Sequence, residues 1–230
     1  MTIYSTNSMI WYVESGRKKM NDLNRKIPVP GSGDYLNFEC PSWKQIYSLL
    51  LKLAENILNS KFKPDIIVGV CRGGWIPARI LSDLLEMPKL ANVTTQFYVG
   101  ISETKHEPAI TQPVSLPVIG KKVLIVDDLA DTGKSLKLVK LHLKNQGASE
   151  VRIATIYCKP WSITIPHYYE KETRQWIVFP WEMKETIKKT FEMFMAEGRT
   201  LEEAKEKLVS SWIDRELVEH FIKKIVSEED

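Results

Sequence analysis

One stretch of thirteen residues constrains the fold of this chain more than any other. The apolar run Val123-Leu124-Ile125-Val126 leads directly into the acidic pair Asp127-Asp128, and small or hydroxyl residues follow at 131–135. A short apolar run rich in branched residues is typical of a buried strand. Helical spacing of apolar residues from about 133 to 146, closed by a glycine, predicts a helix directly after the loop. The stretch therefore predicts a strand, a tight loop and a helix in succession.

The same alternation recurs along the chain. Further strands are predicted at 65–70, 93–99, 151–157 and 176–179, with helices at 42–58 and 75–86. Strands that alternate with helices form a parallel, twisted α/β sheet with helices on both faces. Ligands of such sheets bind beyond the carboxyl ends of the strands. We therefore expect the site where the strands end in Arg72-Gly73-Gly74 and in Asp127-Asp128.

Three segments are predicted. Residues 1–40 are polar and form an N-terminal arm, 41–181 form the α/β domain, and 182–230 form a helical C-terminal extension. The extension carries capping signals at Thr200 and Asp214, and its 9 basic and 13 acidic residues make it acidic. Its apolar stripes are expected to pack on the body or across a subunit interface; they include Leu201, Leu208, Trp212, Phe221 and Ile225.

Composition excludes several classes of protein. The net charge of +3 is too small to indicate a nucleic-acid partner, and no apolar run is long enough to span a membrane. Three scattered cysteines, at 40, 71 and 158, include no Cys-x-x-Cys pair, so neither a zinc site nor a disulfide framework is expected. Free thiols fit a cytoplasmic protein.

The acidic pair and the loop after it indicate a ligand class. Two carboxylates at a strand end can accept hydrogen bonds from a vicinal diol such as ribose, or help to hold Mg²⁺. The loop at 131–135 leads into a helix N-terminus, which favours an anion. Together they predict a sugar phosphate. Gly133-Lys134-Ser135 imitates a nucleoside-triphosphate loop, but that motif requires a glycine where this chain has Asp128.

This string resembles the 5-phosphoribosyl-1-pyrophosphate (PRPP) motif of the type I phosphoribosyltransferases. The resemblance implies that the acidic pair binds the ribose hydroxyls, that the loop wraps the 5′-phosphate, and that the Arg-Gly-Gly turn holds pyrophosphate. The residues it places in the PRPP site are Arg72, Gly73, Gly74, Asp127, Asp128, Asp131, Thr132, Gly133, Lys134 and Ser135. Glycines let backbone amides approach an oxyanion closely, and arginine clamps two phosphate oxygens with its planar fork.

The resemblance also implies a reaction. PRPP and a purine base would give a purine nucleoside 5′-monophosphate and pyrophosphate, with Mg²⁺ as cofactor and Asp128 as its protein ligand. Asp127 and Asp128 would stabilise the cationic transition state, and Asp131 would exchange the N7 proton of the base. A homodimer or higher homo-oligomer is expected. The segment 100–113, with Lys105 and His106, fits either a mobile lid over the site or a passive surface loop.

Two later strings resemble the purine subgroup, in particular xanthine-guanine and archaeal hypoxanthine/guanine enzymes. They are Tyr157-Cys158-Lys159-Pro160-Trp161 and the segment 175–182. By this resemblance Trp176 stacks on the purine, the backbone at Ile177 reads the ring edge, and Lys159 donates to a 6-oxo group. A lysine ammonium is a donor only, which suits a carbonyl oxygen and opposes the amino group of adenine.

Other functions remain open at this point. His167 stands where relatives often have an aspartate, so an adenine-specific enzyme on the same frame is an alternative. A PRPP-sensing regulator of the same fold is a second, although it should carry a basic nucleic-acid surface. A pyrimidine salvage enzyme is a third, and it would not need the pair Lys159 and Trp176.

Overall fold

The computed structural model describes residues 38–98, 107–211 and 213–229, together with three short strands nearer the N-terminus. The chain divides into two units, Met1–Leu36 and Asn37–Asp230. In the first, β1 (Ser5–Thr6), β2 (Met9–Glu14) and β3 (Arg17–Met20) form an antiparallel sheet in that order. The polar composition of the predicted arm did not indicate these strands.

A six-stranded sheet forms the centre of the second unit. Its strands are β5 (Ile66–Cys71), β6 (Leu90–Tyr98), β7 (Glu107–Gln112), β8 (Lys122–Ala130), β9 (Glu150–Cys158) and β10 (Tyr168–Glu172). Their order is β10-β9-β8-β5-β6-β7, and every pair is parallel except β6 with β7. The predicted twisted parallel α/β architecture is confirmed, with one antiparallel strand at an edge.

Two predictions within this sheet need correction. The segment 107–112 is the edge strand β7 and not part of a loop. Its polar residues and Pro108 resemble a loop sequence, but an edge strand tolerates both. The strand β8 does not end at the acidic pair but continues to Ala130, since β9 pairs with it as far as Cys158. The acidic pair therefore lies within the end of a strand, where the ladder fixes its backbone.

Helices cover both faces of the sheet. Two of them, α1 (Trp43–Asn59) and α2 (Trp75–Leu84), pack in one core with Ile67 and Leu124. The helix α3 (Lys134–Asn145) packs in a second core with Val68 and Ile125. Successive strand residues point to opposite faces, so a strand buried on both sides must be apolar throughout. A capping box begins α1, with the Gln45 side chain accepting from the Ser42 amide at 2.7 Å.

A separate two-stranded sheet lies outside the six-stranded one. The strand β4 (Phe38–Glu39) pairs in parallel with β11 (Trp176–Ile177). The Val178 amide extends this pairing by donating to the Glu39 carbonyl at 2.9 Å. The residue predicted to stack on the base is therefore held by a segment that lies 138 residues earlier in the chain, Trp176 opposite Phe38.

The C-terminal extension is helical, as its sequence predicts. It forms α4 (Met183–Ala196), α5 (Leu201–Ser210) and α6 (Arg215–Glu229), and the capping box of Thr200 with Glu203 is present. Its apolar stripes pack in a third core that also takes in Val178, Phe38 and Cys40. Trp212 lies outside the described residues. None of the helices that the structure describes is long and apolar enough to cross a bilayer.

Deleting residues 183–230 should lower the melting temperature, by about 5 °C or more, because Val178 and Phe38 would lose the third core that covers them. Thermal unfolding followed by circular dichroism measures the change. A Leu217→Ala variant is the control, since that side chain is 40% exposed and should alter the melting temperature little. An unchanged melting temperature in the deleted chain would show that the extension does not stabilise the domain.

Candidate active site

The two strand ends predicted to form the site lie side by side, because β5 and β8 are neighbours in the sheet. The turn after β5 rests directly on Asp128. A Cβ atom built on Gly73 would lie 2.0 Å from Asp128 Oδ2, and one on Gly74 would lie 2.5 Å from the Val126 carbonyl oxygen. At Gly74 the neighbouring atoms are backbone, so only glycine permits this approach, whereas a side chain at Gly73 would displace the Asp128 carboxylate. The sequence-predicted pyrophosphate turn and acidic pair thus share one surface.

The surroundings of Asp127 and Asp128 disfavour the ionised form of both carboxyls. Burial raises the pKa of Asp127 well above its ordinary value, and the charge of Asp128 raises it further. Burial also raises the pKa of Asp128, against which hydrogen bonds to its carboxylate act. The backbone amide of Asp128 donates to Asp127 Oδ1 at 3.0 Å, which holds the Asp127 carboxylate against the end of the strand. A cation or a set of hydroxyl donors would relieve this concentration of negative charge.

The loop after β8 is shaped by Gly133. Its φ of +75° is a left-handed conformation, and a Cβ there would lie 2.6 Å from both Ser162 Oγ and the Thr164 nitrogen. The Ile163 amide donates to the Thr132 carbonyl at 3.0 Å, which ties the loop to the same segment. The loop leads into α3, whose first N–H groups have no helical partner and suit an anion.

Lys134, predicted as part of the phosphate loop, directs its ammonium elsewhere. Its Nζ lies 2.8 Å from Glu107 Oε1 at the start of β7. Its contribution to an anion site would therefore come from the backbone. The middle of the predicted lid, with Lys105 and His106, lies outside the described residues.

Lys159, Asp131 and Trp161 form a second group beside the acidic pair. The indole of Trp161 donates to Asp131 Oδ1 at 3.0 Å and lies under the Lys159 ammonium, 5.4 Å from ring centroid to Nζ. Lys159 is only 5% exposed and donates to the Gln175 carbonyl. Burial lowers the pKa of Lys159, whereas the charges of Asp131 and Glu39 act to raise it.

The predicted base platform has one exposed and one buried residue. Trp176 is 43% exposed, while Ile177 is buried against the first core. Behind them, Glu39 accepts from the Tyr157 hydroxyl and the Lys171 ammonium, each at 2.8 Å. These bonds join β4 to β9 and β10. The strand that carries Trp176 is therefore held through its partner β4, which these two hydrogen bonds attach to the six-stranded sheet.

Comparisons with known proteins agree with this geometry. Residues 42–187 match the family described as phosphoribosyl transferase domain. The chain belongs to the phosphoribosyltransferase family. This match and the purine-enzyme relatives of the chain together confirm the predicted type I purine family and the glycosyltransferase class.

Individual relatives of this phosphoribosyltransferase are xanthine-guanine enzymes. That of Gluconobacter oxydans (strain 621H) is 30% identical over 149 residues, 64% of this chain and 86% of the relative. That of Cereibacter sphaeroides (strain ATCC 17025 / ATH 2.4.3) is 35% identical over 150 residues, which cover 62% of this chain and 85% of the relative. The crystal structure of a purine phosphoribosyltransferase from Pyrococcus horikoshii Ot3 has 39% identity and a TM-score of 0.57, covering 64% of this chain and 94% of that one.

Several residues of the phosphoribosyltransferase site were not found from the sequence. Trp181 donates from its indole to Asp128 Oδ2 at 3.4 Å and stacks on Phe179 with ring centroids 4.8 Å apart. Glu185, in the first turn of α4, pairs with Arg72 at 2.6 Å. Trp161 orients Asp131. Trp161 and Trp181 lie within the strings that resemble the purine subgroup, but the sequence assigned neither a role, because each contact spans a long sequence separation. No motif in the sequence marks Glu185.

A fourth missed residue, Glu182, predicts a pH dependence of stability. Burial raises the pKa of Glu182 to about 7, and the charges of Asp128 and Glu185 contribute. Between its ordinary value of 4.5 and about 7, the folded chain binds a proton that the unfolded chain has released, so stability falls as the pH rises. Glu182→Gln should therefore raise the melting temperature at pH 8, by about 3 °C or more, and change it little at pH 5.

Thermal scans at both pH values in EDTA measure this difference. Glu192→Gln is the control, because Glu192 forms an exposed pair with Lys188 on the same helix. Equal shifts at pH 5 and pH 8 would contradict the assignment of a raised pKa to Glu182.

Proposed function

We propose that this phosphoribosyltransferase transfers the 5-phosphoribosyl group of PRPP to a purine base, with 6-oxopurines (hypoxanthine, guanine or xanthine) preferred. The products are the purine nucleoside 5′-monophosphate and pyrophosphate. The observation that carries the proposal is the contact of the glycine turn after β5 with Asp128 at the end of β8. It brings a pyrophosphate-binding turn to an acidic pair that is followed by an anion-binding loop.

In this proposal the acidic pair acts on the ribose. Asp127 and Asp128 accept hydrogen bonds from its two hydroxyls and stabilise the positive charge that develops as the bond from C1′ to pyrophosphate breaks. The loop of Thr132, Gly133 and Ser135 holds the 5′-phosphate, with the backbone of Lys134. Arg72, Gly73 and Gly74 hold the departing pyrophosphate. The sugar is thus fixed at both ends while the base approaches.

In this proposal Trp176 and the group of Lys159, Asp131 and Trp161 recognise the base. Trp176 offers an exposed ring for stacking, and Lys159 carries donors beyond the one used by the Gln175 carbonyl. Asp131 exchanges the N7 proton of the purine, and Trp161 holds its carboxylate in place. The xanthine-guanine relatives support a 6-oxopurine.

Mg²⁺ fits the donor set as a partner of the substrate. Among the described residues no group of three or more His, Cys, Asp or Glu side chains could hold a metal ion. Mg²⁺ characteristically binds one or two carboxylates together with substrate phosphates and water. Asp128, whose carboxylate accepts one long bond from Trp181, is the proposed protein ligand. When bound, the ion would neutralise charge on the leaving pyrophosphate.

A panel of bases tests the proposal. Adenine, hypoxanthine, guanine, xanthine and uracil are each supplied with PRPP and Mg²⁺, and nucleotide formation is measured by chromatography. Turnover of the 6-oxopurines supports it. Turnover of adenine alone would favour the adenine enzyme, and PRPP binding with no turnover of any base would favour a regulator. We place the enzyme in the cytoplasm, to which its free cysteines are suited.

We also propose that the enzyme is a homodimer or higher homo-oligomer. Helix α1 exposes Trp43, Tyr47, Leu51 and Leu58, between 40% and 57% of each side chain. Their spacing puts them on one helix face, beside a cavity of about 530 Å³ that reaches Ile80 on α2. A second copy of the chain would cover this apolar surface.

Tyr47→Glu combined with Leu51→Glu should therefore shift sedimentation velocity toward the monomer, because charges would be buried in the interface. Lys52→Glu, which is exposed on the same helix outside this row, is the control and should sediment as the wild type. A wild type that is already monomeric, or an unchanged double variant, would remove this face from the assembly.

A further inference from the structure

The arginine of the glycine turn already has an anionic partner. Arg72 Nη2 lies 2.6 Å from Glu185 Oε2, although the two residues are 113 positions apart. Glu185 belongs to α4, after the base platform, and Arg72 follows β5. The pair therefore joins the start of the helical extension to the pyrophosphate turn.

Glu185 is held in place from more than one side. Its Oε1 accepts from Lys189 at 2.7 Å, one helical turn further along α4. It stands in the first turn of that helix, where a negative charge is favoured. The hydrogen bond from Lys189 and that from Arg72 lower its pKa, so the carboxylate stays ionised at neutral pH. Arg72, in contrast, has 84% of its side chain exposed, and Glu185 is the carboxylate that its guanidinium contacts.

We propose that Glu185 is a positioning residue that competes with pyrophosphate for Arg72 and thereby sets how tightly the enzyme holds this group. This inference rests on the pyrophosphate role proposed above for Arg72. An incoming pyrophosphate must displace the carboxylate from the guanidinium, and on product release the carboxylate takes the guanidinium back. Glu185 thus weakens pyrophosphate binding in the resting enzyme and favours its departure.

The size of the effect follows from the exposure of the pair. Exposed ion pairs contribute little to stability, so removing Glu185 should tighten pyrophosphate binding by only about 3- to 10-fold. Part of that gain comes from the loss of a negative charge beside the site. The dissociation constant for pyrophosphate and the KM for PRPP should fall together in Glu185→Gln. The kcat should not rise, because a slower release of pyrophosphate opposes turnover.

Four variants of the full chain test the inference. Pyrophosphate with Mg²⁺ is titrated calorimetrically into the wild type, Glu185→Gln, Glu185→Asp, Glu192→Gln and Arg72→Ala, and KM and kcat are measured for each. Glu192, whose exposed pair with Lys188 is on the same helix, is the matched control and should behave as the wild type. Glu185→Asp keeps the charge and should restore most of the wild-type affinity.

The outcomes separate the two proposals. If Arg72→Ala leaves pyrophosphate affinity unchanged, the role assigned to Arg72 is wrong. If Arg72→Ala weakens binding but Glu185→Gln matches the wild type, Arg72 keeps its role and the competition by Glu185 is refuted. Weaker binding in Glu185→Gln would also refute it, because Glu185 would then hold Arg72 in its binding position. Tighter binding in Glu185→Gln, with Glu192→Gln unchanged, establishes it.

Discussion

Replacing both Asp127 and Asp128 with asparagine should lower kcat by about 100-fold or more, because the negative charge that stabilises the ribose cation would be lost. The two carboxyls lie half-buried beside each other, and partial loss of solvent raises the pKa of both. Neutral amides of the same shape should therefore leave the melting temperature unchanged or higher. Loss of activity without loss of stability is the expected signature, measured by steady-state kinetics and thermal unfolding.

The control for the double variant is Asp83→Asn, an exposed carboxylate on α2 that should leave kcat unaltered. A double variant within a few-fold of wild-type turnover would remove the acidic pair from the mechanism. A double variant that melts far below the wild type would show instead that the pair supports the fold.

Lys159→Ala should lower the ratio of kcat/KM for hypoxanthine over adenine by about 10-fold or more, because a charged hydrogen bond is typically worth ~1.5–3 kcal/mol. The residue is buried at the end of β9 and lies beside Trp161 and the segment that leads into Trp176. Its donors suit a 6-oxo group, and its removal would also end the repulsion toward a 6-amino group.

Two further variants sharpen this test. Lys159→Met keeps most of the buried volume without donors and should reproduce the effect, whereas Lys144→Ala, which changes an exposed lysine in the last turn of α3, should leave the ratio unaltered. A wild type that uses adenine only would overturn the base assignment. A 6-oxopurine preference untouched by either change at 159 would assign the reading of the base to the backbone near Ile177.

Strands buried on both faces could be predicted, whereas edge strands could not. The apolar runs of β5 and β8 have no other stable placement in a chain of this kind. In contrast, β7 and β10 are polar strands at the two edges of the sheet, and their sequences resemble loops. The pairing of β4 with β11 was equally hidden, because strands of two residues carry no periodicity.

The same contrast holds for the candidate site. The glycines and the acidic pair could be identified because backbone geometry and charge restrict which residues can stand there, as the contact of Gly73 with Asp128 shows. Trp181, Glu182 and Glu185 could not, since their roles arise from contacts that only folding creates. A single sequence holds no record of such contacts.

The position of β11 couples the C-terminal extension to the candidate site. Ile177 packs in the first core, and the next residue, Val178, packs in the third, which the helical extension supplies. The strand that carries Asp127 and Asp128 packs in the first and second cores instead. Repacking of the third core is therefore expected to move Trp176 more than it moves the acidic pair.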